Sequence, residues 1–171
     1  MMIKYLQAPS IEIDSFSGDP LTFAYFIATF EEVVETNIID QRGRLTRLLK
    51  YLRGEPKDLV TNCIYLPPEE CYRDAKKILV SRYGDPYRVL GEYRKKLRAW
   101  PKVKPYDTVS LRKFQTYAVK FKSAARHDAD TFNSTETVQL LHSKLPTYLQ
   151  NSWSRKAMKT RKQSKAEPGI D

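Results

Sequence analysis

Two histidines, two cysteines and six glycines are all that this sequence of 171 residues provides. Cys63 and Cys71, with Pro67 and Pro68 between them, cannot build a disulfide framework, so a reducing compartment and two buried thiols are expected. They form no Cys-x-x-Cys or Cys/His pair, and His127 and His142 stand without an acid at ligand spacing, so no metal site is expected. Phosphate-cradling GxxxxGK[ST] and GxGxxG loops are missing, as is a GxSxG nucleophile elbow. These gaps predict a chain with no catalytic residues and no cofactor. No apolar run approaches the roughly eighteen residues of a membrane span, and the opening MMIKYLQAPS lacks the apolar core of a secretion signal. The expected location is the cytoplasm, with the nucleus as a second.

What is present in quantity is charge, and it is unevenly placed. The formal net charge is +10, with 41% apolar and 29% charged residues. Residues 1–84 hold 11 basic and 12 acidic side chains, whereas residues 85–171 hold 19 and 8. The second half stays basic over residues 85–154 alone, with 13 basic against 6 acidic residues. Such asymmetry points to a polyanion partner for that half, nucleic acid first and a membrane surface second.

Helical periodicity runs from residue 20 to about residue 155, which predicts an all-α chain of roughly eight helices. Phe23, Phe26, Ile27, Phe30, Val33 and Val34 form one apolar stripe, preceded by Asp19 as cap and Pro20 in the first turn. Leu45, Leu48, Leu49 and Leu52 form a second stripe, with Gly54 suited to the helix exit. Glu55-Pro56 opens a short third helix, and Tyr72, Ala75, Leu79 and Tyr83 mark a fourth that ends at Gly84. Gly84-Asp85-Pro86 then repeats the breaker, cap and proline of Gly18-Asp19-Pro20. Later caps fall at Asp107 and Ser134, HDADTFNS reads as a loop, and Pro146 opens the last helix. Ile11 and Ile13, alternating with acids, predict an extended arm over residues 1–15, and past Arg155 the apolar pattern stops, which predicts a disordered tail over 155–171.

Three side-chain groups invite a functional reading. Glu31, Glu32 and Glu35 share the polar face of the first helix, where carboxylates ordinarily serve solvation. Arg155, Lys156, Lys159, Arg161, Lys162 and Lys165 form a run free of acids up to residue 165. It reads equally as an arm that neutralises phosphates without reading bases or as a solvated tail, and less well as a nuclear-localisation signal. Trp100 and Trp153 each end a stripe, where a tryptophan closes a core or meets another subunit. Asn133-Ser134-Thr135 matches a glycosylation acceptor, which carries little weight without a secretion signal.

Several motifs, taken in order, resemble a retroelement Gag capsid domain. Phe16-Ser17-Gly18-Asp19-Pro20-Leu21, followed by Phe23, Phe26 and Phe30, looks like the F-x-G-D-P entry of that family. Leu45 to Gly54, with Leu49 and Leu52, resembles its leucine-rich second helix, and Arg82-Tyr83-Gly84-Asp85-Pro86 its R-[FY]-G-D-P junction. Ser143-Lys144-Leu145-Pro146, with Leu149 and Trp153, resembles the SKLPxxLxxxW ending of BEL/Pao elements. The likeness covers about residues 9–155; gypsy-type Gag and the Arc capsid domain are more distant relatives.

The resemblance implies a two-lobe helical protomer, with an N-terminal lobe over 16–84 and a C-terminal lobe over 85–154. It implies self-association into rings or shells that package RNA without sequence specificity. No CCHC array and no D-[ST]-G triplet occurs, so the chain would be a capsid segment, a cut fragment or a domesticated remnant. Two rivals remain: an adaptor that holds a partner peptide in a groove between the first and second helices, and a helical nucleic-acid-binding module.

Overall fold

The computed structural model describes residues 12–164 and, within them, the side chains of residues 12–126 and 128–159. The fold is all-α, with nine helices and no strand among the described residues. In order these are α1 (Pro20–Phe30), α2 (Gln41–Tyr51), α3 (Glu55–Thr61), α4 (Cys71–Tyr83), α5 (Pro86–Ala99), α6 (Thr108–Ala124), α7 (Ala129–Asn133), α8 (Thr135–Lys144) and α9 (Thr147–Ser164). The chain divides into two compact units, Met1–Val89 and Leu90–Asp171, and the division falls within α5.

In the first unit the helix starts follow local chemistry. Asp19 Oδ1 accepts from the Leu21 amide at 2.9 Å, and Asp40 Oδ2 from the Gly43 amide at 2.7 Å, satisfying donors that a helix start leaves open. α1 runs on into a π-helical turn, Glu31–Glu35. Phe23, Phe26 and Phe30 of α1 share one core with Val34, Leu45, Leu48, Leu52, Val60 and the α4 residues Cys71, Tyr72, Ala75, Leu79 and Tyr83. Both thiols, Cys63 and Cys71, are free and buried, as expected.

Phe16 joins the ends of this unit. Its amide donates to Tyr51 O at 2.8 Å, and its carbonyl accepts from the Arg53 amide at 2.9 Å, forming a lone parallel bridge with Leu52. The ring is 2% exposed and lies 5.3, 5.2 and 5.1 Å from the rings of Phe23, Phe26 and Tyr83. An extended arm therefore becomes fixed structure at its last residues: Ile13 packs against the core, and residues 1–11 lie outside the described residues.

Gly54 departs from its expected role, whereas Gly84 closes α4 as expected. Gly54 does not close α2, which already ends at Leu52 in extended backbone; it opens α3 with φ 59° and ψ −140°, a region a side chain disfavours. Gly84 has φ −98°, so its constraint is steric. A Cβ there would stand 2.9 Å from Val80 O and 3.1 Å from Phe23 Cε1.

The second unit packs α5 against α6. Tyr93 stacks on Phe121 at 5.1 Å with near-parallel rings, and Tyr117 donates to Tyr93 O at 2.5 Å. Asp107 Oδ1 caps α6 through the Ser110 amide at 2.9 Å, and Ser134 Oγ accepts from the Thr137 amide at 3.3 Å. The segment expected as a loop, HDADTFNS, instead folds into a short turn and α7, because Asp128 caps a helix the periodicity was too short to reveal. The segment expected to be disordered also differs: α9 continues to Ser164. No glycine or proline lies between Thr147 and Ser164, the arginines, lysines, Ala157 and Met158 are good helix formers, and cations late in a helix suit its dipole. Residues 165–171 lie outside the described residues.

Because Phe16 is a large buried ring held by its own backbone, Phe16→Ala is expected to destabilise the first unit by about 3–5 kcal/mol. Gly84→Ala should cost about 1–3 kcal/mol through overpacking. Urea denaturation followed by far-ultraviolet circular dichroism measures both; a midpoint unchanged in Phe16→Ala would remove Phe16 as the anchor.

Candidate functional surfaces

The two glycine-aspartate-proline triplets, distant in sequence, meet around one aromatic knot. Gly18, at φ 107°, approaches Pro56 and Tyr83, with a built Cβ 3.4 Å from Pro56 Cγ and 3.6 Å from Tyr83 Cε1. Gly84 abuts Phe23, and Asp85 Oδ1 accepts from the Arg88 amide at 2.9 Å. Phe16, Gly18, Asp19, Pro20, Phe26, Phe30, Leu52, Tyr83, Gly84, Asp85 and Pro86 are therefore scaffold residues of the first unit, with Leu49 partly buried beside them. The apolar faces of α1 and α2 are closed within one core, with Phe30, Leu45, Leu48 and Leu52 at 0% exposure. An open cleft of about 320 Å³ lies instead along the other flank of α1, between the entry segment and Thr22, Tyr25, Phe26 and Thr29.

Two of the three carboxylates on the π-helical turn that follows α1 do more than solvate a helix face. Lys76 Nζ lies 2.7 Å from Glu31 Oε1 and 2.7 Å from Glu35 Oε1, and Tyr72 donates to the same Glu35 oxygen at 2.5 Å. Burial pushes the Glu35 carboxyl up, but the Lys76 and Tyr72 hydrogen bonds and the charges of Lys76 and Arg44 outweigh it and hold it below its ordinary value. Burial and the Glu35 carboxylate push the Tyr72 phenol up. Sequence spacing did not reveal this cluster, since Lys76 comes from α4.

Two arginines of α2 are committed to backbone carbonyls of the first unit. Arg42 donates to Ile64 O and Leu66 O, each at 3.2 Å, and Arg44 to Ile38 O and Glu35 O at 2.5 and 2.9 Å. In the second unit Arg98 pairs with Glu136 at 2.8 Å, while Lys144 Nζ donates to Arg98 O at 2.9 Å. The Lys144 carbonyl also accepts from the Val103 amide at 2.8 Å. The Ser143-Lys144-Leu145-Pro146 segment thus pins the connector between α5 and α6, with Pro146 buried and Leu145 half-buried.

Of the basic run, Arg155, Lys156 and Lys159 are exposed on α9; Arg161 and Lys162 occupy helical positions further along, and Lys165 lies outside the described residues. Trp100 closes the second unit's core against Tyr117 and Phe114, at 4.7 and 5.6 Å. Trp153 closes no core: it is 41% exposed and meets His142 edge-on at 6.0 Å.

The connector itself holds a surface that periodicity did not single out. A cleft of about 410 Å³ opens between it and the first turns of α6, lined by Trp100, Lys102, Lys104, Asp107, Ser110 and Lys113 among others. Asp107 hydrogen-bonds Ser110, and with Lys104 and Lys113 nearby its carboxyl is held below its ordinary value. Tyr106 sits at φ 64°, left-handed backbone that costs an ordinary side chain about 1–2 kcal/mol. Its ring, 89% exposed, stacks on the half-exposed Tyr148 at 6.1 Å. The only signal in the sequence was two lysines and a tyrosine within Pro101–Asp107.

Among the described residues no group of three or more histidine, cysteine or carboxylate side chains could hold a metal ion. Nor is any described helix long and apolar enough to cross a membrane. The chain belongs to the family described as protein of unknown function (DUF1759), whose model matches residues 16–162. No curated protein and no solved structure matches it.

The acid–lysine cluster gives a pH signature. A carboxylate whose folded pKa is depressed contributes stability that is fully present above its unfolded pKa and is lost as pH falls through the folded one. Glu35→Gln is therefore expected to lower the thermal midpoint at neutral pH, with the difference from wild type shrinking below about pH 4. A gap that stays constant down to about pH 3 would show that Glu35 ionisation contributes nothing.

Proposed function

We propose that the chain is a structural capsid protomer of the Gag type, closest to BEL/Pao elements, that associates with copies of itself and packages retroelement RNA. The observation that carries this reading is one family match running through both helical units, in a family typical of retrotransposon Gag and polyprotein regions. The Gag-like motifs support it, because their glycines stand where backbone or packing restricts a side chain: Gly18 and Gly54 at positive φ, and Gly84 against Val80 O and Phe23. The charge division supports the RNA component, with cations of the second half exposed on α9 and around the connector. Shell subunits work through many weak, repeated contacts, and a small helical unit of this kind can present them without a catalytic centre. The particle would be cytoplasmic, the nucleus being the second location.

Light scattering and negative-stain electron microscopy across protein and salt concentration, with and without RNA, test the reading. Rings, tubes or shells are expected. A small species that persists under every condition would overturn assembly and favour a peptide-binding adaptor, for which the cleft beside α1 is the place to look. Replacing Arg155, Lys156, Lys159, Arg161, Lys162 and Lys165 with glutamine is expected to weaken RNA binding and flatten its salt dependence, by up to about four units of logarithmic slope for single strands. Unchanged affinity would remove the basic run from the RNA-facing surface.

A further inference from the structure

We infer that the connector between α5 and α6, together with the start of α9, is a binding platform for single-stranded RNA. Lys102, Lys104 and Lys113 hold the phosphates there, and the exposed Tyr106 face takes a base. The inference rests on the RNA-packaging reading but names a surface separate from the basic run on α9.

Five observations converge on it. The cleft lined by Trp100 and the three lysines is about 410 Å³ in volume and contains one carboxylate, Asp107, already committed to the Ser110 amide. Lys102, Lys104 and Lys113 are all exposed, so their charges are available to a ligand. An exposed aromatic pair, Tyr106 on Tyr148, stands at the same connector. Tyr106 is also the described non-glycine residue with left-handed backbone, and that strain supports an exposed ring. The connector is held in place by the hydrogen bond that the Val103 amide donates to Lys144 O, so the platform is preorganised.

Chemistry selects the ligand. Lysines are point charges suited to phosphate, and an exposed aromatic face accepts any base, so the pair fits a sequence-tolerant single strand. A duplex would offer phosphates but keep its bases stacked away from Tyr106.

Fluorescence anisotropy of the full chain with a labelled oligouridine of roughly 16 nucleotides, against a duplex RNA of equal length, tests the inference. The informative variant is Tyr106→Gly, because glycine accepts the left-handed backbone that tyrosine resists. It is expected to leave the thermal midpoint within about 3 °C of wild type while weakening oligouridine binding about tenfold. Replacing Lys102, Lys104 and Lys113 with glutamine should reduce the logarithmic salt slope by about two. Weakened binding in both, with the single strand preferred to the duplex, supports the platform. Wild-type affinity and slope in both variants, or no oligouridine binding by wild type, overturns it. So does loss of self-association in Tyr106→Gly with RNA binding intact, which would make the tyrosine pair a protein contact. Assembly measured without RNA separates this result from the capsid reading: shells that form while both variants bind normally would leave assembly standing and remove only the platform.

Discussion

The first unit depends on a residue that belongs to none of its helices. Phe16 is joined through its own amide and carbonyl to the exit of α2, and its ring fills the space between α1 and the end of α4. Those two backbone bonds fix where the ring enters, and the ring in turn fixes how closely α1 and α4 approach. Glycines stand on either side of it for different reasons: Gly18 has a left-handed φ of 107° that a side chain disfavours, and a Cβ at Gly84 would crowd Val80 O and Phe23. Fusing an extended segment to a helical core costs chain entropy, which the burial of one large aromatic side chain offsets only if the packing is close.

Much of this was readable from residue order. Helix starts were legible because caps act through neighbours in sequence: Asp19, Asp107 and Ser134 each hold an amide two or three residues on. The aromatic and leucine stripes were legible for the same reason, since helical spacing places them on one face. What sequence did not show was set by distant partners. Gly54 reads as the exit of α2, yet Leu52 already leaves the helix, where Phe16 pairs with it. α9 runs on past its apolar pattern to Ser164, through residues whose types favour a helix.

For the functional surfaces the division is sharper. Sequence pointed to the basic run and to the carboxylates that follow α1, and missed both the Lys76 that ties Glu31 to Glu35 and the cleft at the connector. Each of those joins residues from separate elements. The uneven charge gave no position for individual cations: Arg42 and Arg44 hold backbone carbonyls, whereas Lys102, Lys104 and Lys113 are exposed.

The cysteines have a practical consequence. Both are buried, Cys71 completely and Cys63 at 6% exposure, and burial, with Asp74 and Cys71 nearby, holds the Cys63 thiol above its ordinary pKa. Thiolate chemistry at neutral pH is suppressed at Cys63, while Cys71 is shielded from reagents. The native sequence is therefore a quiet background for site-directed labelling. A single cysteine placed on any exposed helix face would be the most reactive thiol in the chain, so labels and cross-linkers could be directed to it without first removing the natural residues.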